Sequence, residues 1–354
     1  MSLVFMDGFE NYGTVNSNSI SIEQEGERVW HIFDARDVTV NAMTLTTGRV
    51  SGLAVKGAGT DSVDFRLAYT NPNDDANITV GFSFFIPTYA YSTDTGSGYP
   101  HSLLDIGSGT YGAPQFAINY DLDGSLMVYR GITLIGRTFR KLKNNVWHYI
   151  ELKIYVHNTL GTIDIWLDGE NIFTYSGDTQ GYDGSMLTRS LVLHTDTNSV
   201  YDDVYIATGN TWTRTNGAIV ETLTPTSDSG IQDWTPSSGS NHYALVDDAP
   251  VNEGDYISSN TVNQQDLWGF SNLSQIDANV YGLQLSVGGH LEKPGKRTIQ
   301  MICASNGSNA TSNTNVIDRT TQVDQFIVEN DPSTNSAWTV NAVNAAEFGI
   351  KVVS

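Results

Sequence analysis

Only one cysteine, Cys303, occurs in the 354 residues, so no intrachain disulfide can form and the fold must stand on its packed cores. Basic residues are equally scarce. Eighteen Lys and Arg face 39 Asp and Glu, a formal net charge of −21. A surface that acidic, with no basic stripe, excludes nucleic acid, whose binding rests on phosphate neutralisation. It argues in the same way against anionic membrane surfaces. No run approaches the ~18 apolar residues that span a bilayer, so no membrane insertion is expected. The opening MSLVFMDGFENYG has neither a basic n-region nor a long apolar stretch, so no signal peptide is read and folding in a cytoplasm is expected. Proline numbers nine, and no stretch of ten or more residues sustains a 3.6-residue apolar period, so helices should be short and few.

What is abundant is Thr, Ser, Asn, Gly, Val and Tyr, with only 16% charged residues, a composition that reads as all-β. The strongest local signal lies in residues 144–173. Residues 147–156 mostly alternate apolar and polar side chains, as a strand with one wet face requires. After a glycine-containing loop, Ile163, Ile165 and Leu167 point one way, while Asp164, Trp166 and Asp168 point the other. Asp168-Gly169 then predicts a type I′ hairpin turn, which needs positive φ at both central residues. Further strand candidates recur every 10–15 residues or so, as in a two-sheet sandwich. We divide the chain into 1–209, a linker at 210–217, and a smaller β-sandwich at 218–354 expected to carry assembly contacts. In the latter, strands are expected at 217–223, 266–270, 280–288, 297–304, 322–329 and 348–353.

Two resemblances attach to these residues. Trp147-His148-Tyr149-Ile150 followed by Gly161-Thr162-Ile163-Asp164-Ile165-Trp166-Leu167-Asp168-Gly169 resembles the central hairpins of concanavalin A-like (laminin-G-like) jelly rolls, and implies that sandwich for 1–209. This pattern speaks to fold and hardly to function. The opening residues, Asp202-Asp203-Val204-Tyr205-Ile206, Glu221-Thr222-Leu223-Thr224-Pro225 with Gln232-Asp233-Trp234-Thr235-Pro236, and the ending from Ala337 to Val353 resemble a family of tailed-bacteriophage virion structural proteins. That resemblance implies a non-enzymatic protein of the virion exterior, as head decoration or neck. A tail fibre or receptor-binding protein is the alternative. It further implies capsid, neck or tail partners, a homo-oligomer such as a trimer, and adhesion to host-surface polysaccharide. A glycan-active enzyme is the third reading.

Jelly-roll hydrolases place catalytic carboxylates at alternate positions of one strand, and Asp164, Asp168 and Glu170 are the nearest match. Positions i and i+4 of a strand lie ~13 Å apart, beyond the roughly 5–9.5 Å that glycosidases use, so catalytic residues are not expected. Asp121-Leu122-Asp123-Gly124 is half a calcium loop and reads as a hairpin turn; Asp202-Asp203 could hold calcium with a loop carbonyl. No cofactor is otherwise expected. The seven histidines are scattered, no nucleophile motif occurs, and His148 reads as structural. The basic cluster Arg137 to Lys143 reads as a solvated strand lip, or as a contact for an acidic partner chain or polysaccharide. For glycan binding, which uses aromatic faces with a few polar groups, the candidates are Tyr89, Tyr91, Tyr99 and Trp166. The plainer reading has Trp166 packed under a neighbouring segment and the tyrosines packed against a partner subunit.

Overall fold

The computed structural model describes residues 2–13, 29–30, 43–57, 64–68, 75–87, 101–108, 114–121, 123–181, 184–194 and 199–354. The chain divides into two compact units, Met1–Val220 and Glu221–Ser354. In the first, the strands are β1 (Ser2–Asp7), β2 (Met43–Thr47), β3 (Leu53–Gly57), β4 (Asp64–Ala68), β5 (Asn77–Phe85), β6 (His101–Gly107) and β7 (Pro114–Tyr120). They continue as β8 (Ser125–Arg130), β9 (Thr133–Lys141), β10 (Trp147–Tyr155), β11 (Gly161–Leu167), β12 (Glu170–Gly177), β13 (Ser190–His194) and β14 (Val200–Thr208). An eight-stranded sheet runs β12-β11-β10-β5-β14-β3-β2, with β1 also paired to β14, and a six-stranded sheet runs β4-β13-β6-β7-β8-β9. The strand pairings among the described residues are antiparallel, so the first unit is the expected jelly-roll type of sandwich.

The sequence pattern explains the core. Ile78, Val80, Phe82 and Phe84 of β5 alternate inward, meet Ile150, Leu152 and Ile154 of β10, and join Phe116, Ile118 and Val128 of the opposing sheet. Tyr201 lies against Phe84 at 4.9 Å between ring centroids, and its hydroxyl donates to the Leu103 carbonyl at 2.9 Å, so a buried phenol is satisfied. The Asp168-Gly169 turn forms as expected, with φ of 50° and 83°.

The second unit holds β15 (Pro225–Gln232), β16 (Thr235–Pro236), β17 (Ile257–Ser258), β18 (Gln265–Phe270), β19 (Leu283–Gly289), β20 (Arg297–Ser305), β21 (Ser308–Thr311) and β22 (Asn315–Ile317). It ends with β23 (Gln322–Val328), β24 (Asn330–Asp331), β25 (Ser336–Ala337), α1 (Val340–Ala345) and β26 (Glu347–Val352). One six-stranded sheet, β15-β18-β26-β20-β21 with β22 on β20, accompanies the two-stranded β19-β23 ladder. Trp338, Val343, Phe348 and Cys303 form its small core, against which Leu283, Leu285 and Phe326 pack. Helix α1 is six residues long, and the Thr339 hydroxyl caps it by accepting from the Ala342 N–H at 3.1 Å. Burial pushes the Cys303 thiol up to about 12, with the charge of Asp331 adding to it, as befits an inert core thiol.

Two expectations need correction. Residues 217–223 form no strand. Asn216 and Gly217 take positive φ of 56° and 112°, and Arg49 captures the carbonyls of Gly217 and Ala218 at 3.3 and 2.6 Å. Residues 210–217, read as a linker, belong to the first unit, where they lie across the eight-stranded sheet. Among the described residues, no helix is long and apolar enough to cross a membrane.

Candidate functional site

Strand alternation sends Thr79, Gly81 and Ser83 of β5 to the sheet face opposite the core. Glu151 of β10 and Tyr205 of β14 both stand opposite Gly81, and Trp166 of β11 stands opposite Glu151. A face of this kind should be wet. Its centre is instead buried, with Thr79, Ser83, Tyr149, Glu151, Asp202, Asp203 and Tyr205 all largely withdrawn from solvent. What covers it is residues 210–220, hereafter the strap.

The strap is held almost entirely by polar contacts. Lys153 donates to the Asn210 carbonyl at 2.9 Å. Trp212 rests on Tyr205, ring centroids 5.8 Å apart. The Arg214 guanidinium lies 4.5 Å from the centroid of the Trp166 ring, a cation–π contact. The Thr215 N–H and hydroxyl donate to Glu151 Oε1 at 2.7 and 3.3 Å, and the Tyr205 hydroxyl donates to the same oxygen at 2.5 Å. The hydroxyls of Tyr149 and Thr215 are 2.9 Å apart. Val220 N–H donates to Asp203 Oδ1 at 2.9 Å.

Arg49 organises the neighbouring end of the face. Its Nε donates to Asp203 Oδ2 at 2.8 Å, its backbone N–H to Asp202 Oδ2 at 2.7 Å, and its guanidinium lies 5.2 Å from the Tyr149 ring centroid. Ser83 also donates to Asp203 Oδ2, at 2.8 Å. Asp203 has φ of 53° within the irregular stretch of β14, which brings both adjacent carboxylates under the strap. Burial and then the charge of Asp203 push the Asp202 carboxyl above the usual range, against the pull of the Arg49 N–H. Burial raises the phenols of Tyr149 and Tyr205 as well, so both are neutral donors and poor bases. Gly81 is required here, since a Cβ would fall 2.2 Å from the Tyr205 ring and 2.7 Å from the Tyr149 hydroxyl.

Trp166 lies on this outer face beneath Arg214. Tyr89, Tyr91 and Tyr99 lie outside the described residues. His148 is buried. Its Nε2 accepts the Lys143 N–H at 2.9 Å, so Nδ1 carries the hydrogen and donates to Asp168 Oδ2 at 2.8 Å, a structural arrangement. Burial alone would raise the Asp168 carboxyl, but His148, the Tyr149 N–H and Arg140 outweigh it and hold it below the usual range. Asp164 accepts from the Thr174 hydroxyl at 2.7 Å, and Glu170 pairs with Arg140 at 2.6 Å. The basic cluster is largely neutralised within the unit, Arg137 by Asp121 and Lys141 by Asp123, each at 2.6 Å. Those partners are the carboxylates of the half calcium loop, and Asp202 and Asp203 are taken by Arg49, Ser83 and Val220. Grouped metal ligands are not found among the described residues. The buried acid–tyrosine layer went unseen in the sequence; its trace is the run Tyr149, Glu151, with Asp202, Asp203 and Tyr205.

No family model and no curated protein matches the chain. Solved structures similar to it include a mutant of the alginate lyase Aly36B with alginate tetrasaccharide, at 10% identity and TM-score 0.41, covering 58% of this chain and 96% of that one. The alginate lyase of Aplysia kurodai gives 13% identity and TM-score 0.41, over 59% and 100% of the two chains. An endo-β-1,4-glucuronan lyase from Trichoderma reesei gives 14% and 0.37, over 59% and 96%. These are carbohydrate-active enzymes and not virion proteins. The expectation of a virion structural protein on the particle exterior is corrected on that finding.

Proposed function

We propose that the first unit recognises carbohydrate through the part of its eight-stranded sheet that runs outward from the strap's edge, where Arg214 rests on Trp166 and Lys153 holds Asn210. Across β10, β11 and β12, Tyr155 pairs with Thr162, Lys153 with Asp164, Asp164 with Thr174, and Trp166 with Asn171, all on the outer face. The observation that carries the reading is this strip of half-buried Tyr155, Lys153, Asp164 and Trp166, an aromatic at each end and opposite charges between. Tyr155 is held by the His157 ring, centroids 5.6 Å apart, so it offers a fixed apolar face to a sugar ring. Lys153, Asp164 and Thr174 supply donors and acceptors for hydroxyls.

Charge selects the ligand class. A chain of net charge −21 repels a polyanion, and the strip and its margin offer one Lys and one Arg, so a neutral glycan is favoured. Glu151 lies buried beneath the strap with its Oε1 taken by Tyr205 and Thr215, and Asp164 takes the Thr174 hydroxyl, which supports binding without bond cleavage. The test is an array of neutral polysaccharides that also carries alginate, glucuronan and sialylated glycans. Binding of a neutral glycan, weakened about tenfold or more by Tyr155→Ala or Asp164→Ala, is the expected result. An array with no binder ends the proposal, and release of shortened chains would convert recognition into catalysis.

A further inference from the structure

Building on that reading, we propose that the strap is a displaceable cover, and that the layer beneath it, Arg49, Tyr149, Glu151 and Tyr205, is a second saccharide subsite continuous with that strip. Three observations carry this. The first is an accounting of polar atoms. Glu151 is 1% exposed and Thr79 1% exposed, yet among the described residues Glu151 Oε2 and Thr79 Oγ1 have no hydrogen-bond partner, and neither has buried Nη1 of Arg214. These positions are neighbours by register. Thr79 and Gly81 are successive outward residues of β5, Glu151 is opposite Gly81, and Arg214 covers Trp166, which is opposite Glu151. An acceptor, a hydroxyl and a donor left over at adjoining positions of one face match the groups a sugar presents.

The second is the way the strap imitates a ligand. The Thr215 hydroxyl lies between the Tyr149 hydroxyl at 2.9 Å and Glu151 Oε1 at 3.3 Å, accepting from the one and donating to the other. A sugar hydroxyl entering from the strip could take both roles without any other group moving. Apart from Trp212 and the Arg214–Trp166 contact, the strap's attachments among the described residues are hydrogen bonds, which hydroxyls can replace one for one.

The third is that stability alone does not call for this layer. Among the described residues, the buried carboxylates at Glu151, Asp202 and Asp203 are served by a single closely paired guanidinium, that of Arg49. Apolar residues of similar size hold a segment down at lower cost.

The wild-type chain and the Thr215→Ala variant would be titrated with the neutral saccharide that the array identifies. Amide hydrogen exchange would be followed in the same samples. The variant removes the imitating hydroxyl and should bind about tenfold tighter, a gain that Glu151→Gln in the same background cancels. In the wild type, the Thr215 and Val220 amides, which donate into the buried carboxylates, should exchange faster when saccharide is saturating. That second measurement needs no variant to fold. Unchanged or slower exchange, or unchanged affinity in Thr215→Ala, overturns the cover while leaving recognition by the strip intact. Failure of both wild type and variant to bind any saccharide removes the parent reading instead.

Discussion

The two faces of the eight-stranded sheet are both buried at their centre, and they are built on opposite principles. On the inner face Ile78, Val80, Phe82 and Phe84 meet aliphatic and aromatic neighbours, so burial there needs no polar partners. On the outer face, one residue out of step along the same strand, Thr79, Gly81 and Ser83 lie among Glu151, Asp203, Tyr149 and Tyr205. There, burial needs partners, and they come from a segment with no regular structure. The difference teaches that the inner face is made to stay closed, while the outer face is closed by contacts that water or hydroxyls can replace.

The largest way to break the comparison is Phe82→Ala, which leaves a cavity at a fully buried site of the inner face. It should cost ~3–5 kcal/mol in denaturant unfolding of the first unit. Glu151→Ala on the outer face should cost about 3 kcal/mol, because the Tyr205 hydroxyl and the Thr215 N–H lose their shared acceptor while remaining buried. Equal, small costs for the two substitutions would erase the distinction.

A pH series sharpens it. Asp7, buried under Tyr12 and Trp30, is raised to about 6, burial outweighing its hydrogen bonds, and Asp202 is raised as well. A carboxyl whose folded pKa lies above its unfolded value holds its proton longer in the native state. The unfolded chain therefore binds fewer protons once pH passes about 4, and stability falls as pH rises through the folded pKa. The melting temperature of the first unit should accordingly drop between pH 5 and 8, and Asp202→Asn should flatten that slope by removing one titration. A melting temperature that rises over this range contradicts the assignment. The smallest effect belongs to the exposed edge strand β9. Arg137→Ala breaks an exposed pair with Asp121 and should change stability by no more than about 1 kcal/mol, an effect that salt removes.

Much of the framework was legible in the residues. Period-two alternation located β10 and β11, and Asp168-Gly169 announced their neighbouring turn, because positive φ has few tenants. In the second unit, β18, β20, β23 and β26 stand where apolar runs placed them. By contrast, β15, with the sequence PTSDSGIQ, carries no alternation and was missed; the Trp268 side of β18 recruits it through the backbone. Of the site, alternation correctly put Glu151 and Trp166 on the face away from the core, but a period of two says nothing of what lies above that face.

The sequence by itself therefore determined an all-β chain, its alternating inner core and its acidic surface, since these follow from composition and from spacing along one strand. The tertiary structure alone decided that GNTWTRTNG is a cover and not a tether, and that Tyr149, Glu151, Asp203 and Arg49 form one buried layer. Those pairings join residues up to 168 positions apart, and a contact of that kind is fixed by how strands come to lie side by side, which no local pattern encodes.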